Sequence, residues 1–378
     1  MPHPNSLQPI RRKCRPIRVG ALQLGGGAPV SIQSMTNTRT SDVEATVAQI
    51  CALREAGCDL VRVAVPDMAS ADVISAIKAR IGIPLVADIH YDWRLAIACM
   101  RNGVDKIRLN PGNIGGVDRV REVVAVAKEL HVPIRIGVNA GSLEKGLLER
   151  HGGVCPEALV ESALSHVRML EELDFEDIVI SVKSSNVPLS LATHRLLAHQ
   201  TDYPLHIGIT EAGTVYRGTV KSAVGIGALL LDGIGDTIRV SLTGDPVGEV
   251  RAAREILRAC GLYKKGIEFI SCPTCGRTEI NLIAIAEKVE QALEGMDISL
   301  KVAIMGCGVN GPGEARDADI GIAGGKGGAL LFRKGEIIRK IPEDAIVEEL
   351  VAEVLRMAEI RMMAERRTGK RENGGENR

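Results

Sequence analysis

Seven short apolar runs recur along this chain with helical stretches between them, and that alternation limits the possible fold more than any other feature. The runs read DLVRVAV (59–65), PLVADIH (84–90), DKIRLN (105–110), PIRIGVN (133–139), DIVISVK (177–183), PLHIGIT (204–210) and DTIRVSL (236–242), and Ser31 to Met35 supplies an eighth. Eight βα units over roughly 230 residues match the order and size of a (β/α)8 TIM barrel, which takes about 250. A doubly wound open sheet is the competing arrangement, but it usually has fewer strands and no reason to stop at eight.

Side chains alternate across a strand, so polar residues two or four apart share a face. Asp88 with His90, Arg108 with Asn110, Arg135 with Asn139, Ser181 with Lys183, and Arg239 with Ser241 do so, while Ile107 and Leu109, or Ile238, Val240 and Leu242, occupy the other side. The oily face meets the helices. The polar face looks into the barrel, toward the carboxyl ends of the strands, where barrel enzymes place their active sites. Arg62, Arg108, Arg135, Lys183 and Arg239 then surround one mouth, with Asp88 and Glu211 as the nearest candidate acids. Desolvated charges without partners cost several kcal/mol each. A ligand with several negative charges is the simplest remedy, and guanidinium forks suit phosphate oxygens. The alternative is that each Arg pairs with a barrel carboxylate. His90 and His206 read either as hydrogen-bonded barrel histidines or as groups that act on the ligand.

The segments around the barrel follow from turn and cap signals. RVGALQLGGGAPVSIQSM reads as two short strands around Gly25, Gly26 and Gly27, the second running into Ser31. Ser41 and Glu44 have capping-box spacing at the first helix, and Gly57 supplies its stop. After the eighth strand a helix from Asp245 and Pro246 to Cys260 leads through GLYKKG into a smaller α+β domain. That domain reads as a helix near 279–293, strands in SLKVAIMGC, ADIGIAG, ALLFRKG and EIIRKI, and a last helix from Glu343. GGKGG (324–328) reads as a hairpin turn, since no helix follows it as a phosphate loop requires. The divisions are a lead and hairpin start (1–30), the barrel (31–262), the second domain (263–365) and a polar tail (366–378) expected to be disordered.

Within the second domain, CPTCGRTE sets Cys272 and Cys275 at C-x-x-C spacing, and GCGVNGPGE brings Cys307 and Glu314. Three thiols and a carboxylate make four candidate metal ligands. A structural zinc ribbon would supply a second close cysteine pair. Thiolates suit zinc or an iron–sulfur cluster, and a carboxylate is a weaker, more exchangeable partner, so an incomplete cysteine set hints at a cluster with one reactive iron. A loop cysteine pair with an unrelated third thiol is the plain alternative. Cys14, Cys51, Cys58, Cys99, Cys155 and Cys260 read as small packing residues.

Composition removes several function classes. Lys plus Arg equals Asp plus Glu at 47 each, and aromatics are 2%, so neither a net field nor stacking platforms favour nucleic acid. No run reaches the roughly 18 apolar residues of a membrane span, and the first residues lack a signal-peptide core. Nine cysteines, an odd number without a secretory framework, fit a reducing cytoplasm.

The stretches SIQSMTNTRTSDVEAT, VPLVADIHYD, RLNPGNIG, IRIGVNAGSLEK, HIGITEAG, GIGDTIRVSLTGDP, FISCPTCGRTE and VNGPGEA, in this order, resemble the bacterial two-domain 4-hydroxy-3-methylbut-2-enyl diphosphate synthases of the non-mevalonate isoprenoid pathway. The resemblance runs over about residues 10 to 360. It implies a TIM barrel joined to a smaller domain holding a [4Fe-4S] cluster on Cys272, Cys275, Cys307 and, as the exchangeable fourth ligand, Glu314. It implies diphosphate binding by Arg62, Arg108, Arg135, Asn139, Lys183, Arg239 and Ser241; strand parity adds Asp88, His90, Asn110 and His206 as further substrate-site candidates. The implied substrate is 2-C-methyl-D-erythritol 2,4-cyclodiphosphate, with flavodoxin or ferredoxin as donor and Glu211 placed to deliver a proton. The rival readings are a barrel binding a pterin or another phosphorylated ligand with structural zinc, and a non-enzymatic zinc-stapled binding module.

Barrel topology adds one expectation. The helix after the eighth strand runs back from the catalytic mouth, and the short GLYKKG connection reaches at most roughly 20 Å. The second domain is therefore expected to cap the barrel of another subunit, giving a head-to-tail homodimer with a composite active site.

Overall fold

The structure, a computed structural model, describes residues 9–263, 265–308 and 315–372, with side chains described as far as 363. Its chain divides into two compact units, Met1–Tyr263 and Lys264–Arg378.

The first unit opens with an antiparallel hairpin, β1 (Ile17–Val19) and β2 (Leu22–Leu24). The sequence reading put two strands around Gly25–Gly27. Instead the hairpin turns at Gly20, whose φ of +57° suits a residue without a Cβ, and Gly25–Gly27 link the hairpin to the barrel. The reason is burial: Ile17, Val19 and Leu24 pack against Leu60, Val86 and Val179, inward residues near the amino ends of barrel strands. The hairpin thus forms an apolar floor under the barrel.

Eight parallel strands follow: β3 (Ser31–Met35), β4 (Leu60–Ala64), β5 (Leu85–Asp88), β6 (Lys106–Leu109), β7 (Ile134–Asn139), β8 (Ile178–Lys183), β9 (His206–Ile207) and β10 (Thr237–Ile238). Neighbours in sequence pair from β3 to β8 and from β9 to β10, and β10 returns to β3. A parallel bridge between Ile180 and Leu205 joins β8 to the residue before β9, so the sheet closes on itself. Val61, Val63, Leu85, Ala87, Ile107, Ile134, Ile136, Ile178 and Ile180 belong to one buried cluster with the surrounding helices. Each Val, Leu or Ile among them contributes about 1.5–3 kcal/mol on burial.

The main covering helices are Val43–Glu55, Trp93–Arg101, Val117–Leu130, Pro156–Glu171, Val187–Gln200, Val215–Leu231 and Pro246–Ala259. Their starts are local chemistry: the carboxylates of Asp92 and Asp245 and the amide oxygen of Asn186 accept first-turn N–H groups. At the first helix the expected capping box is replaced. Asp42, one residue later than Ser41, accepts from Ala45 N, and Glu44 pairs with Arg80, because Asp offers a full carboxylate to the free N–H groups and leaves Glu44 available.

The second unit is a five-stranded sheet, β11 (Ile267–Ser271), β12 (Leu300–Met305), β13 (Ile320–Gly325), β14 (Gly328–Arg333) and β15 (Glu336–Pro342), in that order. The first three are parallel and the last two pair antiparallel. Lys326 and Gly327 make the two-residue turn between β13 and β14. The helices Leu282–Ala292 and Ile346–Glu372 bury Leu282, Ile285, Val289, Leu350 and Val354 with the sheet. Buried Glu353 anchors the last helix by accepting from Arg333, Arg339 and Arg356. The tail expected to be disordered from 366 instead continues this helix to Glu372. Ala, Glu, Arg and Lys dominate there and sustain a helix across Gly369; 373–378 lie outside the described residues. Among the described residues no helix is long and apolar enough to cross a membrane.

Candidate functional site

Register places the polar residues of the barrel on one inward face. Arg62 is level with Met35 and Val86, Asp88 with Arg108, and Arg108 with Arg135; Asn139 is level with Lys183, and Thr237 with His206. Arg62, Asp88, Arg108, Asn110, Arg135, Lys183 and His206 are all buried, whereas Asn139, Arg239 and Ser241 are half-buried. His90 is exposed at its ring, with Nε2 3.5 Å from Asp88 Oδ2. Asn110 turns its amide oxygen to Gly112 N at 3.0 Å, shaping the turn after β6.

Asp88 is the hub. Its carboxylate lies 3.2 Å from Arg108 Nη1 and 3.7 Å from Arg62 Nε. Burial alone would raise its pKa, but Arg62, the hydrogen bond with His90, Arg108 and Arg135 together hold it well below the usual carboxylate range. The Arg62 guanidinium also donates to Met35 Sδ. Burial brings Arg62 down to about 9 despite Asp88, with Arg239 and Arg108 adding to the lowering. Gly137 has a packing role: a Cβ there would collide with the Arg108 guanidinium, which crosses the space above it and reaches toward Gly137 O.

The second acid is not the one expected. Glu211 is exposed and enters none of the ion pairs found among the described residues. Glu249 takes that place: it is buried in the first turn of the helix Pro246–Ala259, 3.8 Å from Arg239 Nη2, and it accepts from Ser34 Oγ and Leu242 N. Strand parity cannot find it, because it comes from a helix; its only sequence signal is an acid in the turn that follows the Arg239 strand. Lys106 was also missed, although it shares parity with Arg108 in DKIRLN. Wholly buried, its Nζ has no hydrogen-bond partner.

Six basic side chains therefore line the barrel interior against Asp88 and Glu249. Burial, then neighbouring cations, holds Arg135, Lys183 and Lys106 well below their ordinary pKa values. Among the described residues, Nε and Nη1 of Arg135 and Nε of Arg239 find no hydrogen-bond partner. His206 is likewise pushed down, by burial and then by Arg135, Lys183, Lys106 and Arg62, and both of its ring nitrogens are unpartnered. Such an interior is poorly satisfied when empty and complementary to a polyanion.

The cysteines sit on two neighbouring loops of the second unit. Cys272 follows β11, and its N–H donates to Ile304 O of β12. Gly306 N donates to Cys272 Sγ at 3.1 Å, and Glu279 N to Gly306 O. Cys275 is exposed, and hydrogen bonding from the Arg277 backbone lowers its thiol pKa against a small burial effect. Cys307 lines a cavity of about 680 Å3 with Arg277, Glu279, Lys326 and Lys340. All three thiols are free, and an amide already points at one sulfur, as a thiolate-held metal group requires. The donor chemistry fits such a group. Among the described residues, no three His, Cys, Asp or Glu side chains are gathered closely enough to hold a metal ion. Glu314 lies outside the described residues.

Comparison with known proteins matches both parts of the chain. Residues 14–254 match the family described as the GcpE TIM-barrel domain, and 268–356 match the GcpE protein C-terminal domain. Curated relatives named 4-hydroxy-3-methylbut-2-en-1-yl diphosphate synthase (flavodoxin) are similar over nearly their whole length. The relative from Ruminiclostridium cellulolyticum is 62% identical across 92% of this chain and 98% of that protein. The one from Clostridium perfringens is 62% identical across 90% and 98%, and the one from Geobacter sulfurreducens 61% across 91% and 98%.

Proposed function

Because the chain belongs to the GcpE family, we propose that it carries out the reaction for which its relatives are named. It is an iron–sulfur oxidoreductase, a 4-hydroxy-3-methylbut-2-en-1-yl diphosphate synthase of the non-mevalonate isoprenoid pathway. It opens 2-C-methyl-D-erythritol 2,4-cyclodiphosphate, taking two electrons and two protons and releasing one water. The observation that carries the substrate assignment is the cation-rich barrel interior, where unpartnered guanidinium nitrogens await an anion.

Arg62, Arg108, Arg135, Lys183 and Arg239, with Asn139 and Ser241 at the rim, bind the diphosphate. As the C2–O bond breaks, negative charge grows on a phosphate oxygen that these fixed cations already compensate, so little reorganisation is needed. Asp88 keeps Arg62 and Arg108 aimed, and His90 and Asn110 border the ligand. Glu211 delivers the proton to the departing C3 oxygen. In support, Glu211 is a non-glycine residue at φ +50°, a conformation retained where the surroundings enforce it. Cys272, Cys275 and Cys307, with Glu314 as the exchangeable fourth ligand, would hold a [4Fe-4S] cluster, which supplies single-electron transfer and a Lewis-acidic iron. The donor is flavodoxin, as in the relatives' name, or ferredoxin, and nine free thiols suit a reducing cytoplasm. A structural zinc site, in a pterin-type barrel or a binding module, is not favoured by the family membership.

The active form is a head-to-tail homodimer in which cysteine loops and cation ring come from different subunits. Connectivity supports this: the helix after β10 has 14 residues, about 21 Å, and leads away from the mouth. The solvent face of the helix Val215–Leu231 also exposes Tyr216, Val220, Val224 and Leu231, a stripe suited to a second copy of the chain. Anaerobic metal and sulfide analysis, followed by turnover of the cyclic diphosphate with a chemical reductant, tests the reading. Iron and acid-labile sulfide near four each, with turnover, are expected for a [4Fe-4S] enzyme; bound zinc and no turnover would refute it.

A further inference from the structure

Lys106 is a buried basic group that the reaction as described does not use. It lies on β6 two residues before Arg108, on the same inward face, with Val86 as its register partner. Its Nζ is unpartnered, and no ion pair among the described residues includes it. The charges that act on it are Arg135 on β7 and Arg62 on β4, with Arg108 two residues further along its own strand and Asp88 level with Arg108 on β5. Beyond these stand Lys183 on β8, His206 on β9, Arg239 after β10, and Glu249 from the helix Pro246–Ala259. Asp88 is already shared by Arg62, Arg108 and His90, and Glu249 is paired with Arg239. Beneath lies the apolar floor of Ile17, Val19 and Leu24. Among the described residues nothing in this setting offers an ammonium group a hydrogen bond or an unshared counter-charge.

We propose that Lys106 is the proton-uptake site of diphosphate binding: neutral in the empty barrel, it takes a proton from solvent when a polyanion occupies the cation ring. Two effects oppose charging the amine, namely lost hydration and the like charges of Arg135 and Arg62. An anion above the ring cancels the second and adds attraction through the low-dielectric interior. The lowered pKa of Lys106, caused first by burial and then by Arg135 and Arg62, has the direction this requires. His206 shares the setting, but the variants at Lys106 keep it, so the comparison between them and wild type isolates the proton taken up by the amine. Lys183 belongs to the ring and touches the ligand itself, whereas Lys106 acts from one layer below.

The proposal rests on the diphosphate reading, and one experiment separates the two. The oxidised holoenzyme is titrated calorimetrically with the cyclic diphosphate, without reductant, at pH 8 in Tris, HEPES and Tricine. The slope of observed heat against buffer ionisation heat counts protons taken up. Wild type is expected to take up about one proton more than Lys106→Met, and its affinity to weaken by up to about tenfold per pH unit in a window that the variant lacks. Lys106→Gln, which carries no titratable group, must lose the uptake too, and thermal melting of both variants confirms that they are folded. Binding with equal uptake in wild type and both variants overturns the proposal. No binding by wild type overturns the diphosphate reading, and the proposal with it.

Discussion

Arg108 and Arg135 are register partners on adjacent strands, yet only one has a carboxylate in reach. Arg108 Nη1 is 3.2 Å from Asp88 Oδ1, whereas Nε and Nη1 of Arg135 have no partner. Like charges placed directly opposite each other are destabilising. The barrel tolerates this pair at the place proposed to hold the diphosphate, so stability and binding should respond to mutation in opposite directions.

Arg135→Met is therefore expected to stabilise the unliganded protein by about 1–4 kcal/mol, because it removes a buried charge without compensation. The same change should weaken the cyclic diphosphate by about 100-fold through loss of a charge-assisted contact. Denaturant unfolding and ligand titration measure the two effects. A variant that loses stability would assign Arg135 a structural role instead.

Asp88→Asn should act in the opposite sense, leaving Arg62 and Arg108 without their carboxylate and lowering stability at pH 7 by about 3–5 kcal/mol. The folded-state pKa of Asp88 is depressed. Its stabilisation is thus complete above the unfolded value near 3.9 and is lost only as pH falls below that value toward the folded one. Urea unfolding from pH 5 down to pH 2 should show a smaller loss in the variant, and pyrophosphate should restore part of its stability. Parallel curves for the two proteins would contradict the assignment.

His206 is also shifted downward, so the unfolded chain binds its proton first as pH drops. Its contribution is full above about 6.5 and declines below that by at most about 1.4 kcal/mol per pH unit. His206→Asn should flatten the stability profile between pH 6.5 and pH 5, whatever its effect at pH 8. An unchanged slope would mean that His206 titrates alike in the folded and unfolded protein, contradicting its downward shift.

Glu211→Gln keeps the side chain's shape but removes its proton. Turnover is expected to fall by about 100-fold to 10,000-fold, with substrate affinity within about threefold of wild type. Steady-state rates combined with equilibrium titration decide this; wild-type turnover would remove Glu211 from the scheme.

Arg135→Met and Cys307→Ser subunits, each inactive alone, should complement when mixed. Random exchange makes half the dimers hybrid, each with one intact composite site, so about a quarter of wild-type activity should return. Hybrids verified by differential tags that show no recovery would place both halves of the site in one chain.

Much of this architecture was readable from local pattern. Period-two alternation identified the eight strands and sorted Arg62, Asp88, Arg108, Arg135, Lys183 and Arg239 onto one face, because side-chain direction in a strand depends only on the strand itself. Lys106 carried the same signal and was overlooked beside Arg108. The N-terminal hairpin was misplaced, since its register answers to the apolar floor it covers and not to its own glycines. Glu249, not Glu211, pairs with Arg239, because it reaches the barrel from a helix that strand parity does not describe.

The sequence by itself determined the barrel, the inward ring of cations and the three thiols at their spacing, all of which follow from short-range periodicity and residue chemistry. Only the tertiary structure decided which charges are compensated. Glu249 enters from a helix and answers Arg239, Asp88 is divided among three partners, and Lys106 and part of Arg135 find none among the described residues. Compensation and desolvation depend on groups far apart in the chain and brought together by closure of the sheet, which no local pattern records.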